Sequence, residues 1–207
     1  MHKRLNVGAG RLEVLPDDKL RLFTDGTWTH LGSRWRGDSN PRHRSRSEIE
    51  HLYNITDYRE WHWDGTDNAL DIGQGWTHAL AEHFLEHLWI DQAMALLYAV
   101  REVLEPNAVF RVVVPDADFR PELEPAGFPE DFAWDEPEKH KTRWNYRTLS
   151  WAMKYVGFDV VVRRAYYPDG SLHTDCCFSP LLVEVDPHAG TLLAVQRRDS
   201  LIVDGIR

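Results

Sequence analysis

Cysteine is nearly absent from this sequence of 207 residues, which has only two, Cys176 and Cys177. Neighbouring residues rarely satisfy disulfide geometry, and the pair lacks the C-x-x-C spacing of a metal or redox site. We therefore expect no disulfide framework. A chain of this length can fold on its hydrophobic core alone, and the cysteine usage indicates a reducing compartment.

The sequence also lacks long hydrophobic runs and a surplus of positive charge. No stretch approaches the roughly 18 apolar residues of a membrane span, and no apolar signal region follows the amino terminus. We therefore expect a cytoplasmic protein with no membrane partner. The formal net charge of -9 argues against a general nucleic-acid binder, because neutralising phosphates needs excess lysine and arginine. The length fits a single domain, which we place at residues 1–207.

The later half of the chain alternates helix and strand patterns. Ile90 to Glu105 carries an apolar stripe at helical spacing, which Pro106 ends. The β-branched run from Val109 to Val114 predicts a strand buried on both faces. Asn145 is a candidate N-cap for a second helix, which Gly157 would end in a left-handed conformation. Alternating helices and strands predict an α/β fold with a mainly parallel sheet.

The first half is less regular. Short strands are predicted at Leu5–Val7, Lys19–Asp25, Ile49–Asp57 and Thr77–Phe84. Residues 26–48 are predicted to form a basic, arginine-rich loop, which could grip phosphates while Trp35 stacks on a base. Such a run is more often a solvated loop, so nucleic acid is the less favoured partner.

A glycine turn follows the first predicted strand, in the segment Leu5-Asn6-Val7-Gly8-Ala9-Gly10. Glycine lets the backbone turn sharply and leaves no Cβ between the main chain and a bound cofactor. Open α/β sheets bind ligands outside the carboxyl ends of their strands, so this turn is a candidate cofactor site. On its own it is equally compatible with a simple change of chain direction.

Several later segments resemble, in their order, the second half of type 11 methyltransferases. They are Ala81–Leu88 (AEHFLEHL), Leu104–Asn107 (LEPN) and Phe110–Asp116 (FRVVVPD). The ending Arg197–Asp204 (RRDSLIVD) also resembles a last strand seen in short bacterial members. The chain is thus similar to the class I S-adenosylmethionine-dependent methyltransferases.

The resemblance implies a Rossmann-like methyltransferase sheet of seven strands in the order 3-2-1-4-5-7-6, with strand 7 antiparallel. It also implies S-adenosyl-L-methionine as cofactor and methyl transfer to an acceptor, for which a small molecule or a sugar is favoured. The alternative is a cofactor-binding or scaffold protein of the same fold without transferase activity.

The cofactor-binding residues that the resemblance implies lie on several loops. Asp25, ending strand two, would bind the ribose hydroxyls, since a carboxylate can accept both hydrogen bonds. Asp57, after strand three, would reach the adenine amino group. The full set is Asn6, Val7, Gly8, Ala9, Gly10, Asp25, Asp57, Glu82, His83 and Phe84.

Methyl transfer depends mainly on aligning acceptor, methyl group and sulfur, but the acceptor's proton must also leave. His83, His140 and Asp116 are the candidate bases. Residues 116–144 form a long excursion after strand five, which we expect to cover the acceptor site. Trp134 and Trp144 are predicted to contribute to its apolar floor.

The segment His83-Phe84-Leu85-Glu86-His87 matches the H-x-x-E-H zinc signature of inverted metallopeptidases. On a helix, His83 and His87 would share a face and bind zinc, leaving Glu86 to activate water. A zinc hydrolase is therefore a further alternative. Because no cysteine or third histidine stands at ligand spacing nearby, we predict no metal at these residues.

Overall fold

The computed structural model describes residues 3–8, 28–33, 58–61, 72–120, 140–174 and 199–207. In these ranges eight strands form one sheet and two helices contact it. The strands are β1 (Arg4–Val7), β2 (Trp28–Ser33), β3 (Tyr58–Trp61), β4 (Trp76–Glu82), β5 (Leu104–Pro115), β6 (Asp159–Tyr166), β7 (Leu172–Thr174) and β8 (Ser200–Ile206). The helices are α1 (Ile90–Val103) and α2 (Tyr146–Val156), and a 3-10 turn covers Leu85–His87.

The strands lie in the order β3-β2-β1-β4-β5-β8-β6-β7. The five strands from β3 to β5 are parallel, whereas β8 runs antiparallel to both β5 and β6. The expected sheet of seven strands, ordered 3-2-1-4-5-7-6, is therefore not matched as stated. The difference is the short strand β7, which pairs antiparallel with β6 at the edge of the sheet.

The second and third strands lie elsewhere than expected. Trp28–Ser33 pairs with β1, although it falls within the predicted loop of residues 26–48. Alternate side chains of a strand point to the same face, and Thr29 and Leu31 are both buried. One face of this segment therefore packs on the core. The remainder of that loop and both predicted strands, Lys19–Asp25 and Ile49–Asp57, lie outside the described residues.

The helices follow their sequence patterns closely. Helix α1 ends at Val103, two residues before the predicted end, because β5 begins directly at Leu104. Helix α2 is capped by Asn145, whose side chain accepts hydrogen bonds from the backbone of Arg147 and Thr148. Gly157 ends it with a φ of 99°, as predicted. No helix in the described ranges is long and apolar enough to cross a membrane.

A buried ion pair crosses the centre of the sheet. Arg111 on β5 and Asp204 on β8 are register partners, and each side chain is 1% exposed. The guanidinium of Arg111 donates through Nε and Nη2 to the two carboxylate oxygens of Asp204, at 2.7 and 2.9 Å. Arg163 on β6 donates to the same carboxylate at 2.9 Å. Three strands are thereby joined by side chains as well as by their backbones.

Candidate functional site

The order of the strands reverses next to β1. The chain passes from β1 to β2 and β3 on one side, and then returns to place β4 on the other side. In open α/β sheets, ligands bind in the crevice that such a reversal creates at the carboxyl ends of the strands. The candidate site therefore lies where β1 and β4 end.

Gly8 directly follows β1 at this crevice. Its φ of 65° lies in the left-handed region, and a Cβ added there would meet the ring of Phe84 at 2.2 Å. Phe84 lies two residues beyond β4, so the glycine allows the two strand ends to approach each other. Because the ring of Phe84 occupies the space that a Cβ would need, this packing alone requires glycine at position 8.

His83 directly follows β4 and has a φ of 49°, which is uncommon for a residue with a side chain. Its backbone N–H donates to the carbonyl of Val113 on β5, at 2.8 Å. In the ring, Nδ1 lies 3.1 Å from Oε1 of Glu86, and Nε2 lies 3.3 Å from Oγ of Ser200. Since a carboxylate only accepts, we assign the proton to Nδ1, and in that tautomer Nε2 accepts from the hydroxyl of Ser200.

Glu86 and His87 lie together with His140, which is distant in sequence. One potential ligand atom from each of the three residues lies within 4.8 Å of the others. The rings of His87 and His140 meet edge to face, with centroids 5.0 Å apart. No third histidine stands at ligand spacing in the sequence, but the fold brings His140 next to this motif.

The H-x-x-E-H segment does not form the helix that the metallopeptidase signature needs. His83 precedes a 3-10 turn and hydrogen-bonds to Glu86. The three residues that come together are Glu86, His87 and His140, and they do not include His83. This arrangement differs from the one in which His83 and His87 hold zinc and Glu86 activates water.

Asp116 follows β5 and is fully buried. Its carboxylate accepts hydrogen bonds from the backbone N–H of Tyr166, at 2.7 Å, and of Asp118, at 3.0 Å. Burial raises the pKa of Asp116 to about 6, although these two hydrogen bonds act in the opposite direction. The carboxylate thus joins the ends of β5 and β6.

The two ends of the predicted excursion are joined to each other. Asp116 and Trp144 form an isolated parallel bridge, and the N–H of Ala117 donates to the carbonyl of Trp144 at 2.8 Å. Trp144 is 2% exposed and belongs to the hydrophobic core, so it is not a surface residue of an acceptor floor. Trp134 lies outside the described residues.

Of the predicted cofactor residues, those on β1 and β4 come together. Asn6 and Val7 are buried on β1, and Glu82, His83 and Phe84 end or follow the neighbouring β4. Ala9, Gly10, Asp25 and Asp57 lie outside the described residues. Strands β2 and β3 of the sheet begin after these aspartates, at Trp28 and Tyr58.

Known proteins resemble this chain in structure but not detectably in sequence. No protein-family model matches the sequence, and no curated protein matches it either. Solved structures do match. All of this chain aligns with the S-adenosylmethionine-dependent methyltransferase SibL, with a TM-score of 0.55 and 16% identity, and it spans 50% of SibL. This is the class I methyltransferase fold.

Two further matches cover more of their own chains. A SAM-dependent methyltransferase from Archaeoglobus fulgidus aligns with a TM-score of 0.54 and 15% identity, over all of this chain and 86% of that one. The 1,6-didemethyltoxoflavin-N1-methyltransferase of Burkholderia thailandensis, with bound 1,6-didemethyltoxoflavin and S-adenosylhomocysteine, has a TM-score of 0.55 and 14% identity, over 99% and 70%. At these identities the likeness shows the fold, and the resemblance to type 11 members is not confirmed.

Two contacts at the site were not predicted from the sequence. Ser200 was noted only within the segment Arg197–Asp204 that resembles a last strand, and its contact with His83 joins residues 117 positions apart. His140 was named as a base, without its neighbours Glu86 and His87. The H-x-x-E-H spacing was the one available signal for that cluster, and its third member comes from the far end of the excursion.

Proposed function

We propose that this chain transfers a methyl group from S-adenosyl-L-methionine to an acceptor. The observation that carries the proposal is the reversal of strand order between β1 and β4, whose carboxyl ends lie side by side. A left-handed glycine lies on one side and His83 and Phe84 lie on the other. The methyltransferase fold of the structural neighbours supports the same assignment.

The residues at the crevice fit such a cofactor. Gly8 presents backbone without a side chain, and Glu82 provides a carboxylate at the end of β4. Gly8, Glu82, His83 and Phe84 would hold the cofactor, with Asn6 and Val7 supporting the turn from within β1. We also propose Ala9, Gly10, Asp25 and Asp57 as contacts, on the resemblance alone. When bound, the cofactor supplies an electrophilic methyl group on a sulfonium.

We propose His83 as the first candidate to take the acceptor's proton. Its Nδ1–H is held by Glu86, so that Nε2 carries the lone pair that a base needs, and the acceptor would displace the hydroxyl of Ser200 from this nitrogen. Asp116 is a weaker candidate, because it is buried and both of its oxygens accept backbone hydrogen bonds. His140 is half-buried beside His87 and remains a candidate base.

For the acceptor we propose a small molecule or a sugar. The Burkholderia thailandensis neighbour acts on a small molecule, as its name states. The net charge of -9 disfavours nucleic acid, which needs neutralisation of its phosphates. A panel of hydroxyl- and amine-bearing metabolites, sugars and short RNAs, assayed with labelled cofactor, would identify the class.

Calorimetry with S-adenosylhomocysteine tests the proposal most directly. We expect one binding site on the wild-type protein and loss of binding in Gly8→Ala, because a Cβ at Gly8 would displace Phe84 into the crevice. Gly73→Ala is the matched control, since Gly73 also has a positive φ, of 74°, but nothing lies within 4 Å of its added Cβ. Folded wild-type protein that binds neither S-adenosylhomocysteine nor S-adenosylmethionine would refute the proposal. Binding without transfer to any acceptor would favour a scaffold protein of the same fold.

A further inference from the structure

The geometry of Glu86, His87 and His140 points to a metal site. We propose that these three side chains bind a divalent transition-metal ion such as Zn²⁺. Two imidazoles and one carboxylate are a common ligand set for zinc and its first-row neighbours. The proposal concerns metal binding itself and does not depend on methyl transfer.

The distances require a moderate adjustment. Ligand atoms held tetrahedrally at about 2.1 Å from one zinc ion lie about 3.4 Å apart. The three potential ligand atoms lie within 4.8 Å of one another, so binding requires each pair to close by up to about 1.4 Å through side-chain rotations. His87 and His140 are half-buried, which leaves the cluster accessible to an ion from solvent.

The carboxylate of Glu86 provides a second observation that points to a cation. Glu86 is 2% exposed, and its Oε2 is buried with no hydrogen-bond partner in the described part of the chain. A buried carboxylate without full pairing is costly, because it has lost its hydration. A bound cation would satisfy this oxygen, and no lysine or arginine within the described ranges forms an ion pair with it at 4 Å or less.

The backbone holds the third ligand against the first two. The carbonyl of Glu86 accepts hydrogen bonds from the N–H groups of Lys141 and Thr142, at 2.6 and 3.1 Å. The hydroxyl of Thr142 also donates to the carbonyl of Leu85, at 3.2 Å. His140 directly precedes these residues, so the cluster is preorganised by main-chain contacts that do not involve the proposed ligands' side chains.

His83 would act as a positioning residue for this site. Its Nδ1 lies 3.1 Å from Oε1 of Glu86, and it would orient the carboxylate as outer hydrogen bonds orient metal ligands. Three protein ligands leave at least one coordination position for water or for an oxygen atom of a bound molecule. The site therefore has the composition of an open metal site rather than a closed structural one.

The first measurement is metal binding by the wild-type chain. Protein without a histidine tag, stripped of metal by a chelator, is titrated with Co²⁺ by visible absorption and with Zn²⁺ by calorimetry. We expect one ion per chain, displacement of Co²⁺ by Zn²⁺, and no thiolate-to-cobalt charge transfer. Folded wild-type protein that shows no stoichiometric binding of either ion would overturn the proposal.

Ligand variants locate the site. His87→Ala, His140→Ala and Glu86→Gln should each weaken Zn²⁺ affinity by more than about 100-fold, beyond the effect typical of outer-shell residues. His173→Ala, at a half-buried histidine on β7, and Cys176→Ser with Cys177→Ser are the controls and should bind normally. Normal binding by the two histidine variants, or loss in the controls alone, would contradict the assignment.

Variants of His83 test its positioning role through the size of the loss in Zn²⁺ affinity. His83→Ala should weaken Zn²⁺ affinity roughly 10- to 100-fold without changing the stoichiometry. His83→Asn should restore most of that loss, because asparagine tolerates a left-handed backbone and its amide can donate to Glu86. Equal affinities of wild type and His83→Ala would exclude the positioning role.

Discussion

Two buried carboxylates in different regions of this sheet have opposite environments. Asp204, at the centre, accepts hydrogen bonds from two nitrogens of Arg111 and from Arg163. Glu86, at the carboxyl edge, interacts through Oε1 with His83, whereas its Oε2 has no partner among the described residues. The fold provides partners for both oxygens of the central carboxylate, although Nη1 of Arg111 has none among the described residues, whereas one oxygen of the carboxylate at the edge has no partner.

This difference separates a structural role from a functional one. A buried charge that the fold itself neutralises can only stabilise or specify the fold. A buried charge that is left partly unsatisfied needs a ligand, or else it lowers stability. The carboxyl edge also contains two residues with left-handed backbones, Gly8 and His83. We therefore expect the carboxyl edge of the sheet to have a lower local stability than its centre.

The largest effect is expected at the centre. Asp204→Asn should lower the free energy of unfolding by about 3–5 kcal/mol, because it leaves the buried guanidinium of Arg111 without its counter-ion. Urea denaturation measures the change. The combined variant Arg111→Met with Asp204→Leu should recover much of the loss, since it removes both fully buried charges and deprives only the partly exposed Arg163 of this contact. If Asp204→Asn lowers the free energy of unfolding by less than about 1 kcal/mol, Asp204 does not have the structural role that distinguishes it from Glu86.

An intermediate and pH-dependent effect is expected at Asp116. The pKa of Asp116 in the folded protein is about 6, above the ordinary 3.8, so the folded state binds its proton more readily than the unfolded chain. The stability that this proton provides is fully present below about pH 4 and is lost as the pH rises through about 6. Over this range wild type should lose on the order of 3 kcal/mol relative to Asp116→Asn.

Urea denaturation of both proteins across that pH range checks this expectation. Asp169→Asn is the matched control, because Asp169 lies on an exposed turn where hydrogen bonds from Ser171 lower its pKa. That variant should not reproduce the change. A constant difference in stability between wild type and Asp116→Asn would show that the carboxylate has an ordinary pKa.

The smallest effect is expected at Glu86. In metal-free protein, Glu86→Gln should change the free energy of unfolding by less than about 1 kcal/mol, because the amide oxygen still accepts from His83 and an incompletely paired charge is removed. Thermal denaturation with Zn²⁺ then sharpens the comparison. The melting temperature of wild type should rise while that of the variant should not, since only a ligand bound to the folded state stabilises it. A large loss of stability without metal would make Glu86 a structural residue like Asp204.

Sequence patterns predicted the elements whose signals are local. The apolar stripe of α1, the Asn145 cap and the Gly157 terminus of α2, and the strand expected at Val109–Val114, which lies within β5, all occur where they were expected. Each depends on residues within one or two turns of helix or a few strand positions. Such signals survive in almost any tertiary context.

Features set by tertiary pairing were not readable in the same way. Trp28–Ser33 carries no stronger strand pattern than Lys19–Asp25, and its place beside β1 is fixed by register with Leu5 and Val7. The proximity of His140 to Glu86 depends on two backbone hydrogen bonds across more than fifty residues. The sequence therefore named Gly8, His83 and Phe84, which the fold places at neighbouring strand ends, but it did not indicate that Glu86, His87 and His140 lie together.

The bridge between Asp116 and Trp144 has a consequence for how this chain can vary. It closes a loop at its base with two buried residues, so the ends are held irrespective of what lies between them. The entropy of closing a loop grows only with the logarithm of its length, and doubling the loop costs about 0.6 kcal/mol. Insertions between Arg120 and His140 should therefore leave the sheet and the contacts of Lys141 and Thr142 with Glu86 intact. The number of residues between these two positions can thus change in related chains at a small entropic cost.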